Sequence, residues 1–267
     1  MAGAIVAEQP HVGQLGFRLP AARIKNPSGR PQEVWPLPLG RIQASRLPPG
    51  WAHCRLGGVT PRPPTQRLPP TVMQPTQVAT PFHRPGWIYE EKVDGYRMLA
   101  YKVGSSVQLI SRQGKEFTGR FPELAKAVAA LGAESVVLDT ELAVFDRQLI
   151  SRFEWLRAQP KDDVATPPLL MALDLLELDG EDQRKRPLRE RRQALEHLLS
   201  GERLILPVRR LSPSGLEAWK DVLRAGYEGL VAKDPASPYV GGRTLKWLKV
   251  KVPKYREGER GWEATRR

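Results

Sequence analysis

The sequence predicts an α+β domain, and three observations carry that expectation. Short β-rich runs broken by polar turns begin near residue 86, and amphipathic helical stretches interrupt them. Strands and helices are intermixed without the regular βαβ order of a doubly wound fold. With 267 residues and 40% hydrophobic content, the chain has material for one large core or two small ones.

Each element has a local reason. Trp87 to Lys92 (WIYEEK), Tyr96 to Val103 and Val107 to Ser111 read as strands from their aromatic and β-branched residues. Gly104, Ser105 and Ser106 supply the tight turn that a hairpin between the last two requires. Phe121 to Leu131 reads as a helix, with Thr118 as its cap and Gly132 as its stop. Val136 to Phe145 and Leu169 to Leu176 read as strands. Pro187 to Leu199 is an amphipathic helix whose proline stands in the first turn, where no backbone N–H is needed. Ser214 to Arg224 is another, with Ser214 and Glu217 in capping-box spacing and Gly226 at its end. Strands at 229–233 and 246–251 close the domain.

Composition bounds the rest. The net charge is +13, and its placement matters more than its size. Residues 1–70 carry 9 basic and 2 acidic residues, 243–267 carry 9 and 3, and the middle is balanced at 24 and 24. Basic ends favour polyanionic partners. Thirteen of the 26 prolines fall in 1–70, where they penalise helices and central strands, so that segment reads as a disordered or extended extension. No run of 18 apolar residues is present to span a membrane, and no secretory leader is legible. The single cysteine, Cys54, excludes an internal disulfide framework and a cysteine-rich zinc site, and fits a cytoplasmic setting.

Chemistry concentrates in five segments. EEKVDGYR (90–97) places Lys92 among acidic residues, before an Asp94-Gly95 turn and Arg97. SRQG (111–114) follows the next strand, LDTEL (138–142) the next helix, and YEGLVAK (227–233) the last helix. KWLKVK (246–251) ends the domain, and Lys249 and Lys251 share one face of a strand. Two neighbouring ammonium groups repel unless an anion lies between them. Singly, these segments fit a surface hairpin and a lysine-guarded sheet edge.

Together, in this order, they resemble the adenylation domain of the ATP-dependent DNA ligases, within the covalent nucleotidyltransferase superfamily, from about Val72 to Lys251. The resemblance implies antiparallel sheets flanked by helices around an ATP cleft. It implies that Lys92 is the nucleophile that becomes lysyl-AMP and that Glu90 reads the adenine amino group. Arg97 and Glu141 match residues of the ribose and nucleotide pocket, and Arg112 matches the arginine beside the phosphates and the nick. Glu228 matches the acid associated with the metal, and Lys249 and Lys251 the pair on the α-phosphate, with Lys233 and Arg243 as further phosphate contacts. ATP, Mg²⁺ or Mn²⁺, and nicked duplex DNA are the implied cofactors and partner of a monomeric protein. The chemistry suits these types: an ordinary lysine is protonated at neutral pH, and burial with nearby cations disfavours its charged form.

Two departures stand out. Leu173 occupies the position where the family carries an aromatic residue to stack on adenine. Only 16 residues, a basic tail at 252–267, follow Lys251, too few for the family's OB-fold domain. Two other readings stay open: a non-catalytic nucleic-acid-binding protein with a remnant pocket, and an RNA ligase or capping-type nucleotidyltransferase.

Overall fold

A computed structural model describes residues 23–25, 31–33, 71–156 and 165–253. The chain divides into two compact units, Met1–Gly40 and Arg41–Arg267. In the first, β1 (Arg23–Lys25) and β2 (Pro31–Glu33) pair antiparallel. The expected extended stretch over 1–70 otherwise falls outside the described residues, as does the tail beyond 253.

The second unit runs β3 (Met73–Gln77), β4 (Ile88–Glu91), β5 (Tyr96–Val103), β6 (Ser106–Ser111), α1 (Pro122–Ala130), β7 (Ser135–Ala143), β8 (Leu169–Leu178) and β9 (Glu181–Asp182). It continues with α2 (Leu188–Leu198), β10 (Ile205–Pro207), α3 (Gly215–Ala225), β11 (Gly229–Lys233) and β12 (Gly242–Lys251). A larger sheet has the order β10-β8-β7-β5-β6, with β9 beside β8, and a smaller one the order β3-β12-β11-β4. The α+β class holds. The sheets are nevertheless mixed rather than wholly antiparallel. β8 and β10 run parallel because α2 carries the chain back between them, and β3 lies parallel to β12.

Burial explains the stacking. Along β5, Met98 and Ala100 face the apolar sides of α1 and α2, where Leu124, Val128, Leu195 and Leu199 cover them. Leu99 and Tyr101 point the other way and meet Met73 of β3 and Trp247 of β12. The larger sheet is therefore covered on both faces, and its strands read as continuous apolar runs. α3 covers the far side of the smaller sheet through Ala218 and Val222, packed on Tyr89, Leu230 and Val250.

Helix ends depart from expectation. Thr118 opens a short 3-10 turn, Thr118–Arg120, and its hydroxyl accepts from the Leu109 N–H and donates to Glu116; the residue capping α1 is Phe121. Ser214 does precede α3, but its side chain makes no cap bond, so the capping box is not formed. The N-terminal Gly215 N–H donates instead to His83 Nδ1. Gly226 ends the helix in the left-handed conformation, φ 77°, as expected.

The helical stripe of α2 that faces the protein reads Leu188, Arg191, Arg192, Leu195. Arg191 is fully buried and forks onto Asp174 of β8 at 2.8 and 2.7 Å, while its third nitrogen donates to the Ser237 carbonyl at 2.9 Å. Removing one partner of a buried pair leaves an uncompensated charge and costs about 3–5 kcal/mol. Asp174→Ala is expected to lose that much stability in urea unfolding, and the apolar pair Asp174→Leu with Arg191→Met to recover most of it. A loss below about 1 kcal/mol in the single variant would mean that the pair does not organise this layer.

Candidate active site

The segment EEKVDGYR forms the end of β4, a turn and the start of β5. The turn is pressed against β7: a Cβ on Gly95 would lie 2.2 Å from the Leu142 carbonyl oxygen, so only glycine fits. The Asp94 N–H donates to Ser151 Oγ at 2.8 Å and fixes the turn from the other side. Lys92 stands one residue beyond β4 and donates its backbone N–H to the Gly229 carbonyl.

Glu228 enters just before β11. Leu230 and Ala232 pack with Tyr89 on the α3 side of the sheet, and strict alternation would send Glu228 there too. Instead Tyr227 joins that cluster, and the Glu228 carboxylate turns to the opposite face. Gly229, which begins β11, lies so close to β12 that a Cβ there would be 2.1 Å from the Val250 carbonyl oxygen. Glu228 Oε2 lies 2.5 Å from Lys92 Nζ, and Oε1 lies 2.8 Å from Lys251 Nζ. Lys249, two residues back on β12, has its ammonium pushed down by burial and by the charges of Lys92 and Lys251. Glu141, opposite Arg97 on β7, is pushed up to about 7 by burial, against the pull of Arg97 and Lys92. Arg243 also bears on Lys249. One carboxylate thus meets Lys92, just beyond β4, and Lys251 of β12, the strand on which Lys249 and Lys251 were expected to share a face.

A second group forms behind the first. Glu90 is buried, with Oε1 2.7 Å from Arg192 and Oε2 2.5 Å from Lys233. Lys233 also donates to the Leu173 carbonyl at 3.0 Å and lies 4.2 Å from the centre of the Trp247 ring. Burial holds its ammonium below the usual lysine range. Lys233 therefore joins Glu90 rather than the cluster around Glu228. The half-buried side chain of Leu173 leans on Val93, Phe145, Met171 and Val208.

Arg97 forks onto Asp139 at 2.5 Å through two nitrogens and donates to the Met73 carbonyl at 3.1 Å. Tyr239 closes this knot by donating to Asp139 at 2.8 Å. It ties β3 of the smaller sheet to β5 and β7 of the larger. Arg112 lies exposed just after β6, with its backbone N–H on the Arg97 carbonyl.

Sequence reasoning missed Arg192, Asp139 and Tyr239. The signal for Arg192 was present: an arginine on the apolar stripe of a helix must find a buried acid. Nothing local pointed to Tyr239, 100 residues from Asp139.

A lysine set against an acid and two further lysines, between two packed sheets, defines an adenylation domain of the nucleotidyltransferase type. The chain belongs to the ATP-dependent DNA ligase domain family, whose sequence profile matches residues 70–251. The multifunctional non-homologous end joining protein LigD of Pseudomonas aeruginosa is 36% identical over 201 residues, covering 73% of this chain and 23% of that protein. A probable DNA ligase of Rhodococcus jostii is 36% identical over 171 residues, covering 61% and 33%. A structure of mycobacterial DNA ligase D complexed with ATP and MES aligns with a TM-score of 0.55 at 31% identity, covering 66% of this chain and 60% of that one. The chain spans between a fifth and a third of the length of the curated relatives it matches.

Glu91, the residue before Lys92, gives the site a pH signature. It is 1% exposed, and burial pushes its carboxyl up to about 7, opposed by Arg209. Between pH 4.5 and 7 the folded chain therefore holds a proton that the unfolded chain has released. The associated stability is full at low pH and lost as pH rises through 7, by about 3 kcal/mol in all. Urea unfolding of wild type and Glu91→Gln should show the wild type losing that much more between pH 4.5 and 8. Parallel pH profiles would contradict it.

Proposed function

We propose that this chain is an ATP-dependent DNA ligase that seals nicks through lysyl-AMP at Lys92 and a DNA-adenylate. The observation that supports the reading is the meeting of Lys92, Glu228, Lys249 and Lys251 at one end of the smaller sheet. Family membership gives the reaction class, and this meeting supplies its parts.

Lys92 attacks the α-phosphorus of ATP, forming a P–N bond as the bond to pyrophosphate breaks. Its amine needs a free lone pair, and Glu228 Oε2, 2.5 Å away, is the acceptor in place for the proton. Lys249 and Lys251 would neutralise charge on the transferred phosphoryl group, in a half-enclosed place where such charges act more strongly than in water. The Glu90–Lys233 group lies on the base side, with Leu173 offering apolar contact where an aromatic ring would stack. The nick's 5′-phosphate then takes the adenylyl group from Lys92, and the 3′-hydroxyl displaces AMP to join the strand. Arg112, exposed just after β6, is suited to backbone phosphate.

A divalent metal fits this donor set in a limited way. Among the described residues no three acidic, histidine or cysteine side chains gather as a metal cage. Magnesium is commonly held by one or two carboxylates, substrate phosphates and waters, and Glu228, with Glu141 nearby, supplies that much. When bound, it would offset charge on the phosphates.

The test is incubation with α-labelled ATP and magnesium, followed by nicked duplex. Wild type should carry label on the protein, pass it to the DNA 5′ end and seal the nick. Lys92→Ala and Lys92→Arg should carry none, since guanidinium stays protonated and cannot attack. A wild-type protein that binds nicked DNA but never takes label would favour the non-catalytic reading.

A further inference from the structure

Lys92 and Glu228 must meet at one angle, and regular strand geometry does not set it. Both lie just outside their strands, after the last residue of β4 and before the first of β11. Glu228 also breaks the alternation of β11, so the pleat cannot aim its carboxylate. The backbone contributes the Lys92 N–H on the Gly229 carbonyl and the Val252 N–H on the Glu228 carbonyl.

The residue before each of them is held by one arginine. Arg209 Nη1 lies 3.3 Å from Glu91 Oε2, and the same nitrogen donates to the Tyr227 hydroxyl. Its guanidinium carbon lies 5.2 Å from the centre of the Tyr227 ring. The Arg209 backbone is itself fixed, since its carbonyl accepts from the Glu91 N–H at 3.0 Å and its neighbour Arg210 bridges to Glu90. The preceding residue, Val208, still donates to the Ala172 carbonyl of β8 in the larger sheet, so Arg209 stands where the chain crosses to the end of the smaller one. Glu91 keeps its other oxygen, Oε1, buried with no hydrogen bond. A buried, half-satisfied carboxylate is a costly thing to place beside the nucleophile if it only fills space.

We propose that Arg209 is a positioning residue: by binding Glu91 and Tyr227 together, it fixes the approach of Lys92 to Glu228. Its consequence for catalysis rests on the ligase reading above. Its consequence for the Lys92–Glu228 pair does not.

The experiment has two arms on the full chain at pH 8, above the value of about 7 to which burial raises Glu91. In the first, without nucleotide, lysines are acetylated by an excess of acetic anhydride and rates are read by peptide mass spectrometry. Exposed Lys126 serves as the internal reference. Arg209→Met and Tyr227→Phe should each raise the rate at Lys92 about fivefold over Lys126, the factor that loss of one hydrogen bond implies. Arg209→Lys, which keeps the charge but not the planar guanidinium beside the Tyr227 ring, should fall between them and wild type. In the second arm, single-turnover formation of lysyl-AMP should fall about tenfold or more in both variants, with the ATP concentration for half-maximal rate unchanged. Should Arg209→Met fail to fold, Tyr227→Phe, which keeps the ring and its packing, decides the question alone. An unchanged Lys92 acetylation rate, even with a lowered melting temperature, would reduce Arg209 to a structural contact and overturn the proposal. Wild type that forms no lysyl-AMP would overturn the ligase reading, and the acetylation arm would still decide the role of Arg209.

Discussion

One carboxylate makes this arrangement of charges possible. Glu228 lies between Lys92 and Lys251, and beside them burial, together with both ammonium charges, lowers the affinity of Lys249 for its own proton. Without that acid, three like charges would converge on the end of one sheet and repel. With it, they are held where a polyphosphate can replace the carboxylate as their partner. The requirement reaches back into the backbone. Gly229 must lack a side chain so that β12, which carries Lys249 and Lys251, can lie close beside it. Gly95 must lack one so that the turn after Lys92 can lie on β7.

Around that centre the protein spends buried charge freely. Arg191 with Asp174, Arg97 with Asp139, and Arg192 with Glu90 and Lys233 each join elements far apart in the chain. Such pairs give little net stability over well-packed apolar residues, because desolvation offsets much of their attraction. Their effect here is geometric. Arg97 and Tyr239 tie the two sheets through Asp139, and Arg192 holds Glu90 two residues before Lys92. A cluster that sets a lysine against an acid gains more from fixed directions than from an apolar contact that can slide.

The parts of this design that follow local rules were legible in the sequence. The hairpin of β5 and β6, the helices α2 and α3, the strand that ends beside Lys92 and the strand carrying Lys249 all lie close to their expected positions, because turn glycines and apolar periodicity act within a few residues. β3 and β10 were not seen. Each is short, β3 contains Pro75, and both become strands only by pairing with distant partners, β12 and β8. The site divides the same way. Lys92, Glu228, Lys249 and Lys251 were named from their motifs and do come together. The separation of Lys233 from that group was not foreseen, since its preference for Glu90 depends on the register of β11 against β4. Nor could Arg209 be found, because the residues it joins are 136 positions apart in sequence and meet only in the fold.

The central claim is that Lys92, held against Glu228, is the atom that accepts the nucleotide. Intact-mass spectrometry of the protein after incubation with ATP and magnesium, with peptide mapping of the product, addresses it most directly. The account predicts a single adenylyl adduct on the peptide containing Lys92, lost again when pyrophosphate is added in excess. An adduct on another lysine, or an unmodified protein under conditions where ATP is demonstrably bound, would contradict it.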